Sequence, residues 1–287
     1  DHALKAGQAL LEGIDPESID LIIYASGSME DHPLWWGIYK LHEVLGLKHA
    51  RIMEMRYGCI GSLHALEAAK NYLIANPKLN RAIVIGAEGY HFSDAFADYA
   101  NPDNEPMYIF ADGAAAALLE TDRVAELPNA LGEFAYLVDS SHHADVSIPA
   151  GGAKLPTTAE TVAQGLHALQ LPQKDPRELR RFGLRYITNY LTVIQQALTA
   201  SNHEGAPDFI VSNQLKLPLM RILLTKLGMT MEQTAYTMPK WGHVGTADIL
   251  LSLGEAMNSG ALKPGQTVAI VSSGISFSWG AATLHVL

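Results

Sequence analysis

Short, fully apolar runs alternate along this chain with longer segments of helical periodicity, and that alternation limits the folds open to it. "DLIIYAS", "RAIVIGAEG" and "QTVAIVSS" carry apolar residues on both sides of the alternation, as strands do when helices cover both faces of a parallel sheet. The intervening segments have a 3.6-residue rhythm. In "IGSLHALEAAKNYLIA", residues Ile60, Leu63, Leu66, Ala69 and Leu73 form one stripe. "RELRRFGLRYITNYLTVIQQALTAS" and "ADILLSLGEAMNSG" read as further helices. Strand–helix repetition on both sides of the chain's middle predicts an α/β fold with mostly parallel sheets and helices outside. Residues 126–175 are richer in Pro, Ser, His and Gly and only weakly periodic, so they read as an insertion or cap. On this reading, residues 1–125 form one half and residues 176–287 the other.

Thirty acidic residues against 20 basic ones give a net charge of -10, and no Lys/Arg stripe offsets it. Such a surface repels a polyanion on average, so nucleic acid is not an expected partner. A single cysteine cannot close an internal disulfide, which points to a reducing, cytoplasmic setting. No apolar run is long enough to span a bilayer, and the start of the chain does not read as a signal peptide. No G-x-G-x-x-G or Walker loop occurs, so no bound nucleotide cofactor is expected. No metal is expected either: His142-His143 lacks a ligand spacing and reads as a solvated loop. Asp94 and Asp98, at i and i+4, read as a solvated face, and His64 as a packing residue turned away from Cys59. Trp35 and Trp36 read as core or interface aromatics.

The cysteine sits in "RYGCIGS", Arg56–Ser62, where a strand hands over to a helix. Gly58 and Gly61 permit a sharp turn and close approach of a substrate to the backbone. A thiolate at a helix N-terminus is stabilised by unpaired amides and by the helix dipole. The amide of Cys59 itself can point at a carbonyl oxygen under attack. Without further context, a small buried hydrophobe is the favoured reading of a lone cysteine such as Cys59.

Several segments, in order, resemble the β-ketoacyl-acyl-carrier-protein synthase III family of thiolase-like condensing enzymes. "GCIGSLHALEAAKNYL" resembles the segment carrying the family's nucleophilic cysteine, and "AIVIGAEG" and "IFADGAAAALLE" resemble its next strand and its Gly-Asp-Gly-Ala signature. "DFIVSNQ" and "KWGHVGTADILLSLGEAMNSGALKPGQTVAIVSSGISFSWGAA" resemble its later strand, helix and terminal turn. The resemblance implies a divergent member: two pseudo-repeated halves, each with a mixed, mostly parallel five-stranded sheet, and usually a dimer, here with itself or with a paralogue. The family's opening strand has no counterpart before Asp1, and its place is expected at the centre of the first sheet.

The resemblance also implies acyl transfer from coenzyme A or an acyl-carrier protein through a covalent Cys59 thioester. That thioester then passes the acyl group to a second substrate, in specialised fatty-acid or polyketide-type biosynthesis. The family's histidine falls on Asn213 and its asparagine on His243, so the two residue types have changed places. His243 is the implied acid/base and Asn213 an oriented donor. The amides of Cys59 and Ile275 form the implied oxyanion hole, with Gly274, Ser276 and Lys216 facing substrate. Family arginines that receive the coenzyme A adenine and the carrier protein fall on Asn104 and Pro218. Whether the second step is decarboxylative carbon–carbon condensation or capture by an amine or alcohol is open. A catalytically degenerate partner subunit is the alternative.

Overall fold

The computed structural model describes residues 1–27, 31–32, 34–90, 109–125, 129–170 and 175–287. Its helices are α1 (His2–Leu10), α2 (Gly37–Val44), α3 (Gly61–Ala75), α4 (Ala159–Ala163), α5 (Pro176–Ala200), α6 (Leu217–Lys226), α7 (Met238–Trp241) and α8 (Asp248–Asn258). The strands are β1 (Leu21–Ser26), β2 (Arg51–Arg56), β3 (Arg81–Glu88), β4 (Gly113–Glu120), β5 (Asn129–Val138), β6 (Phe209–Ser212), β7 (Thr267–Gly274) and β8 (Ser278–Val286).

Each half contributes a four-stranded sheet among the described residues, ordered β2-β1-β3-β4 and β5-β8-β7-β6. The expected five-stranded sheets are therefore corrected to four. A fifth position of the second sheet is reduced to a single parallel bridge, Ile210 to Thr234, at the outer edge of β6. The sheets are also less parallel than the alternation predicts. Pairs β1–β2, β1–β3 and β6–β7 run parallel, whereas β3–β4, β7–β8 and β5–β8 run antiparallel. A helical crossover returns a strand parallel, but β8 follows β7 through a tight turn and must run back.

The expected vacancy at the centre of the first sheet is absent. β1 pairs directly with β2 on one side and β3 on the other, Ile22 opposite both Ile52 and Ile83. In the second half the strand that leads in from the first half, β5, lies at the sheet edge beside β8. By the same pseudo-symmetry, the first half's counterpart position lies beside β4, so the centre does not depend on it. β5 falls within residues 126–175, so that stretch, read from the sequence as a cap, supplies an edge strand to the second sheet.

Helices α3 and α8 lie between the sheets. Ile60, Leu63, Leu66, Ala69 and Leu73 meet Ile249 and Leu250 there, together with Leu21, Ile23 and Val84 from one sheet and Val211, Val268 and Ile270 from the other. Alternate residues of the same strands face outward. Ile22, Ile83 and Ile85 pack under α1 and α2, while Ile210, Ala269 and Val271 pack under α5 and α6. This double burial accounts for strands with no polar face. Each buried Leu or Ile contributes about 1.5–3 kcal/mol relative to exposure.

Glycines let the halves approach. A Cβ on Gly86 of β3 would lie 2.3 Å from Ser62 Oγ and 2.7 Å from the carbonyl oxygen of Thr246, which belongs to the other half. The turn before α8 is thereby pressed against β3 and the start of α3, where the candidate site forms.

Candidate active site

Cys59 occupies a 3-10 turn, Gly58–Ile60, between the end of β2 and the first residue of α3. Gly58 has φ 59°, the left-handed region that glycine enters at no steric cost, and a Cβ on Gly27 would lie 2.7 Å from its Cα. The turn is anchored across the molecule by Ser272 Oγ of β7, which donates to the Cys59 carbonyl at 3.0 Å. The Cys59 side chain is buried, at 6% exposure.

His243 comes from the other half and meets it. The Nε2 atom of His243 lies 3.2 Å from Cys59 Sγ, across 184 positions of sequence. Its Nδ1 is hydrogen-bonded to Asp248 Oδ2. Asp248 is the first residue of α8, so its carboxylate sits at the positive end of the helix dipole. Two backbone amides complete its partners: Gln214 N donates to Oδ2 and Val244 N to Oδ1, each at 2.7 Å. The histidine is held by its backbone as well, through His243 N to the Ile109 carbonyl (2.6 Å) and Ala111 N to the His243 carbonyl (3.0 Å). Burial pushes the His243 imidazolium toward deprotonation, but the Asp248 carboxylate and Cys59 as thiolate outweigh it and hold the ring's pKa well above its ordinary value. A nucleophile, a base in contact with it, and a carboxylate fixing that base make a Cys–His–Asp triad.

Asn213 follows β6 directly and is buried, at 3% exposure. The Tyr190 hydroxyl lies 2.6 Å from its Oδ1 and 2.8 Å from Ser273 Oγ, and the Tyr186 hydroxyl lies 2.5 Å from the same serine oxygen. A phenol donates, so Asn213 presents oxygen to Tyr190 and keeps its Nδ2 donors for another acceptor. Tyr186 and Tyr190 stand one turn apart on α5, and burial pushes both phenols above their ordinary pKa. A third tyrosine, Tyr90, is buried beside the site: its ring meets Phe110 edge-on at 4.9 Å, and its backbone N donates to Asp112 Oδ1 at 2.7 Å.

The turn carrying Gly274, Ile275 and Ser276 lies across from the cysteine. A Cβ on Gly274 would be 3.0 Å from Ile60 Cγ2, and one on Gly58 would be 3.9 Å from Ile275 Cγ1. The Ile275 side chain is half exposed. Lys216 caps the N-terminus of α6, with Pro218 in that helix's first turn. His64 is packed between Tyr57 and Tyr136, stacked on the latter at 4.3 Å. His142 is no solvated loop residue: Nδ1 lies 2.6 Å from Asp145 Oδ2, Nε2 lies 2.5 Å from Arg185, and Phe182 and Phe277 pack against the ring. The carboxylate three residues on was within view of the sequence but its turn was not. Trp36 is half exposed. Asp94, Asp98 and Asn104 lie outside the described residues.

Asp248, Tyr190, Tyr186 and Tyr90 were not picked out from sequence. The one available signal was Asp248 at the head of a helix five residues after His243. The tyrosines are separated from Cys59 by 31 to 131 positions and carry no motif.

Two family profiles match the chain: 3-oxoacyl-[acyl-carrier-protein] synthase III over residues 53–135, and the C-terminal region of the same family over residues 202–286. The chain belongs to the 3-oxoacyl-[acyl-carrier-protein] synthase III family. The β-ketoacyl-[acyl-carrier-protein] synthase III of Symbiobacterium thermophilum is 28% identical over 290 residues, covering 99% of this chain and 82% of that protein. Crystallographic 3-oxoacyl-[acyl-carrier-protein] synthase III from Aquifex aeolicus superposes with a TM-score of 0.78 at 19% identity, over 99% of this chain and 83% of that one. ChlB3, an acyltransferase by name, superposes with a TM-score of 0.79 at 23% identity, over 100% and 84%. The fold is thiolase-like, and the curated relatives are condensing acyltransferases.

Proposed function

We propose that the protein is an acyltransferase working through a Cys59 thioester, with coenzyme A or an acyl-carrier protein as donor and an O–H, N–H or S–H nucleophile as acceptor. The observation that carries the reading is His243 held between Asp248 and Cys59 Sγ, at 3.2 Å from the sulfur. Acylation removes the Cys59 thiolate charge that helps hold the ring protonated, and the imidazole, with Nδ1–H committed to Asp248, then offers Nε2 as an acceptor, which suits removal of a proton from a protic nucleophile. Decarboxylative condensation asks for two donors to an enolate oxygen and has no such proton to remove. The same contact supports catalysis over a degenerate partner subunit.

In the first half-reaction, Cys59 sulfur attacks the donor carbonyl. The oxyanion collapses and the donor thiol leaves, with His243 supplying its proton. In the second, the acceptor attacks the acyl carbon, His243 Nε2 takes its proton, and Cys59 is released. The amides of Cys59 and Ile275 receive the oxyanion in both steps, and Asn213 Nδ2 orients the bound thioester. Gly274 and Ser276 shape that turn, and Lys216 attracts the phosphates of the donor's pantetheine arm. The reading places the enzyme in specialised fatty-acid or polyketide-type biosynthesis, in the cytoplasm, as a dimer with itself or a paralogue.

Intact-protein mass measurement after incubation with a panel of acyl-CoA and acyl-carrier donors tests this. One acyl group should add to the wild type and none to Cys59→Ala. The adduct should be discharged by amine, alcohol or thiol acceptors, and malonyl-CoA should yield no carbon dioxide. Absence of any adduct, with or without a partner chain, overturns the catalytic reading. Carbon dioxide release with a condensed product overturns the choice of acceptor.

A further inference from the structure

Glu88, the last residue of β3, is 2% exposed and takes no part in the chemistry described so far. A carboxylate is costly to bury without donors, and this one has them. Its Oε1 accepts from Gly27 N at 2.9 Å, Thr246 N at 3.1 Å and Thr246 Oγ1 at 2.9 Å, while Oε2 shares the Gly27 proton at 3.2 Å. Gly27 follows β1 in the first half, and Thr246 belongs to the second. Both partners bear on the turn that carries Cys59. A Cβ on Gly27 would lie 2.7 Å from Gly58 Cα, so the loop after β1 lies flat against the residue before the cysteine. A Cβ on Gly61 would lie 3.0 Å from Thr246 Cγ2, so Thr246 presses on the other end of the same turn. Thr246 also sits between His243 and Asp248, in the 3-10 turn Gly245–Ala247 that leads into α8. That turn reaches Glu88 through Gly245, whose φ is 52° and whose Cβ would be 2.8 Å from Oε1. Thr246 is fully buried, so its N–H depends on the carboxylate as acceptor.

We propose that Glu88 is a positioning residue: its carboxylate ties the turn after His243 to the loop against Gly58, and so sets the contact between His243 Nε2 and the Cys59 sulfur. Asp248 orients the imidazole, and Ile109 and Ala111 hold its backbone. Those contacts fix the histidine, whereas Glu88 fixes it relative to the cysteine turn. The contact leaves little slack: at 3.2 Å, a separation larger by about 1 Å takes the nitrogen out of reach of the sulfur. The effect on acyl transfer rests on the reading given under Proposed function; the contact itself does not.

Glu88→Asp keeps the charge but draws the carboxylate back by one methylene, away from Thr246. The other ionisable groups acting on the contact, Asp248, Tyr90, Tyr186 and Tyr190, keep their charges too. Cys59 is the chain's only cysteine, so iodoacetamide alkylation followed by intact mass reports this sulfur alone. In the wild type the imidazole takes the thiol proton, and the thiolate is what reacts. Alkylation of Glu88→Asp should slow about tenfold at about pH 6, yet stay within about twofold at about pH 10, where solvent takes that proton instead. The His243 ring, followed by NMR of isotope-labelled histidine and assigned with His243→Asn, should titrate lower than in the wild type. Burial lowers its pKa, and the Cys59 thiolate that helps to outweigh burial has moved off. A merely loosened fold would expose the sulfur and speed alkylation at both pH values. With acetyl-CoA as donor, acyl-enzyme formation should slow by about tenfold. Alkylation near pH 6 that is unchanged or faster overturns the proposal, as does an unmoved His243 titration. Should Glu88→Asp not fold, Thr246→Val deletes the Oγ1 donor at nearly constant shape. It should slow the low-pH alkylation by about threefold, and no movement is again fatal. A wild type that no thioester acylates removes the effect on acyl transfer with the proposed function, while alkylation and titration still decide the role of Glu88.

Discussion

The carboxylate of Asp248 receives three donors on two oxygens: His243 Nδ1 and Gln214 N on Oδ2, and Val244 N on Oδ1. An amide has a single acceptor oxygen, so Asp248→Asn must turn an N–H₂ toward a donor and lose its hold on the imidazole. The rate of acyl-enzyme formation should fall by about a hundredfold or more, measured by quenched-flow mass analysis. Stability should fall by about 1–3 kcal/mol in urea denaturation. Tyr190→Phe should act in the same way on Asn213, whose Oδ1 loses the phenol at 2.6 Å. The amide is then free to turn over, and acyl transfer should drop about tenfold while Cys59 alkylation is unaffected. At this scale the sequence singled out Cys59, because a lone cysteine between two glycines is a local pattern, and the resemblance made it the candidate nucleophile. The resemblance added His243 and Asn213. Asp248 and the tyrosines stayed hidden because their roles depend on which atoms meet across the fold, and no spacing encodes that.

Helix α5 illustrates how an element can serve both core and site. Ile187, Val193, Ile194, Ala197 and Leu198 bury one face against the second sheet, and the same face delivers Tyr186 and Tyr190 toward Ser273 and Asn213. Burial holds both phenols neutral in the folded state, with pKa values above the ordinary one. The unfolded chain ionises them near pH 10, so above that pH the native state binds more protons than the unfolded one. Their contribution is therefore complete below about pH 10 and is lost as pH rises further. Absorbance at 295 nm should show these two tyrosines ionising only with unfolding, and Tyr186→Phe should blunt the alkaline loss of melting temperature. Periodicity made α3, α5 and α8 legible, since each buries one regular stripe. It misjudged strand direction and number. Apolar runs look alike whether they pair parallel or antiparallel, and β5 (with its half-exposed residues) lacks the continuous apolar run of a central strand.

Across the whole molecule, the active site exists only because the halves touch. Cys59 comes from the first, His243, Asp248, Asn213 and Tyr190 from the second, and Gly86 lets them close. Gly86→Ala would push a methyl into Ser62 Oγ and the Thr246 carbonyl, so a loss of about 1–3 kcal/mol is expected in denaturant titration. Acylation should be impaired further, because the same displacement moves His243 from the sulfur. The core between the sheets is shared by α3 and α8, so the halves should unfold in one transition, with Leu63→Ala lowering its midpoint without splitting it. The sequence by itself determined the α/β class, the helices and the nucleophilic turn, since hydrophobic period and glycine placement act over a few neighbouring residues. Only the tertiary structure decided that Asp248 orients His243, that Tyr190 orients Asn213 and that β1 fills the first sheet's centre. Those are matters of ångström distances between atoms far apart in the chain, set by packing of the two halves against one another.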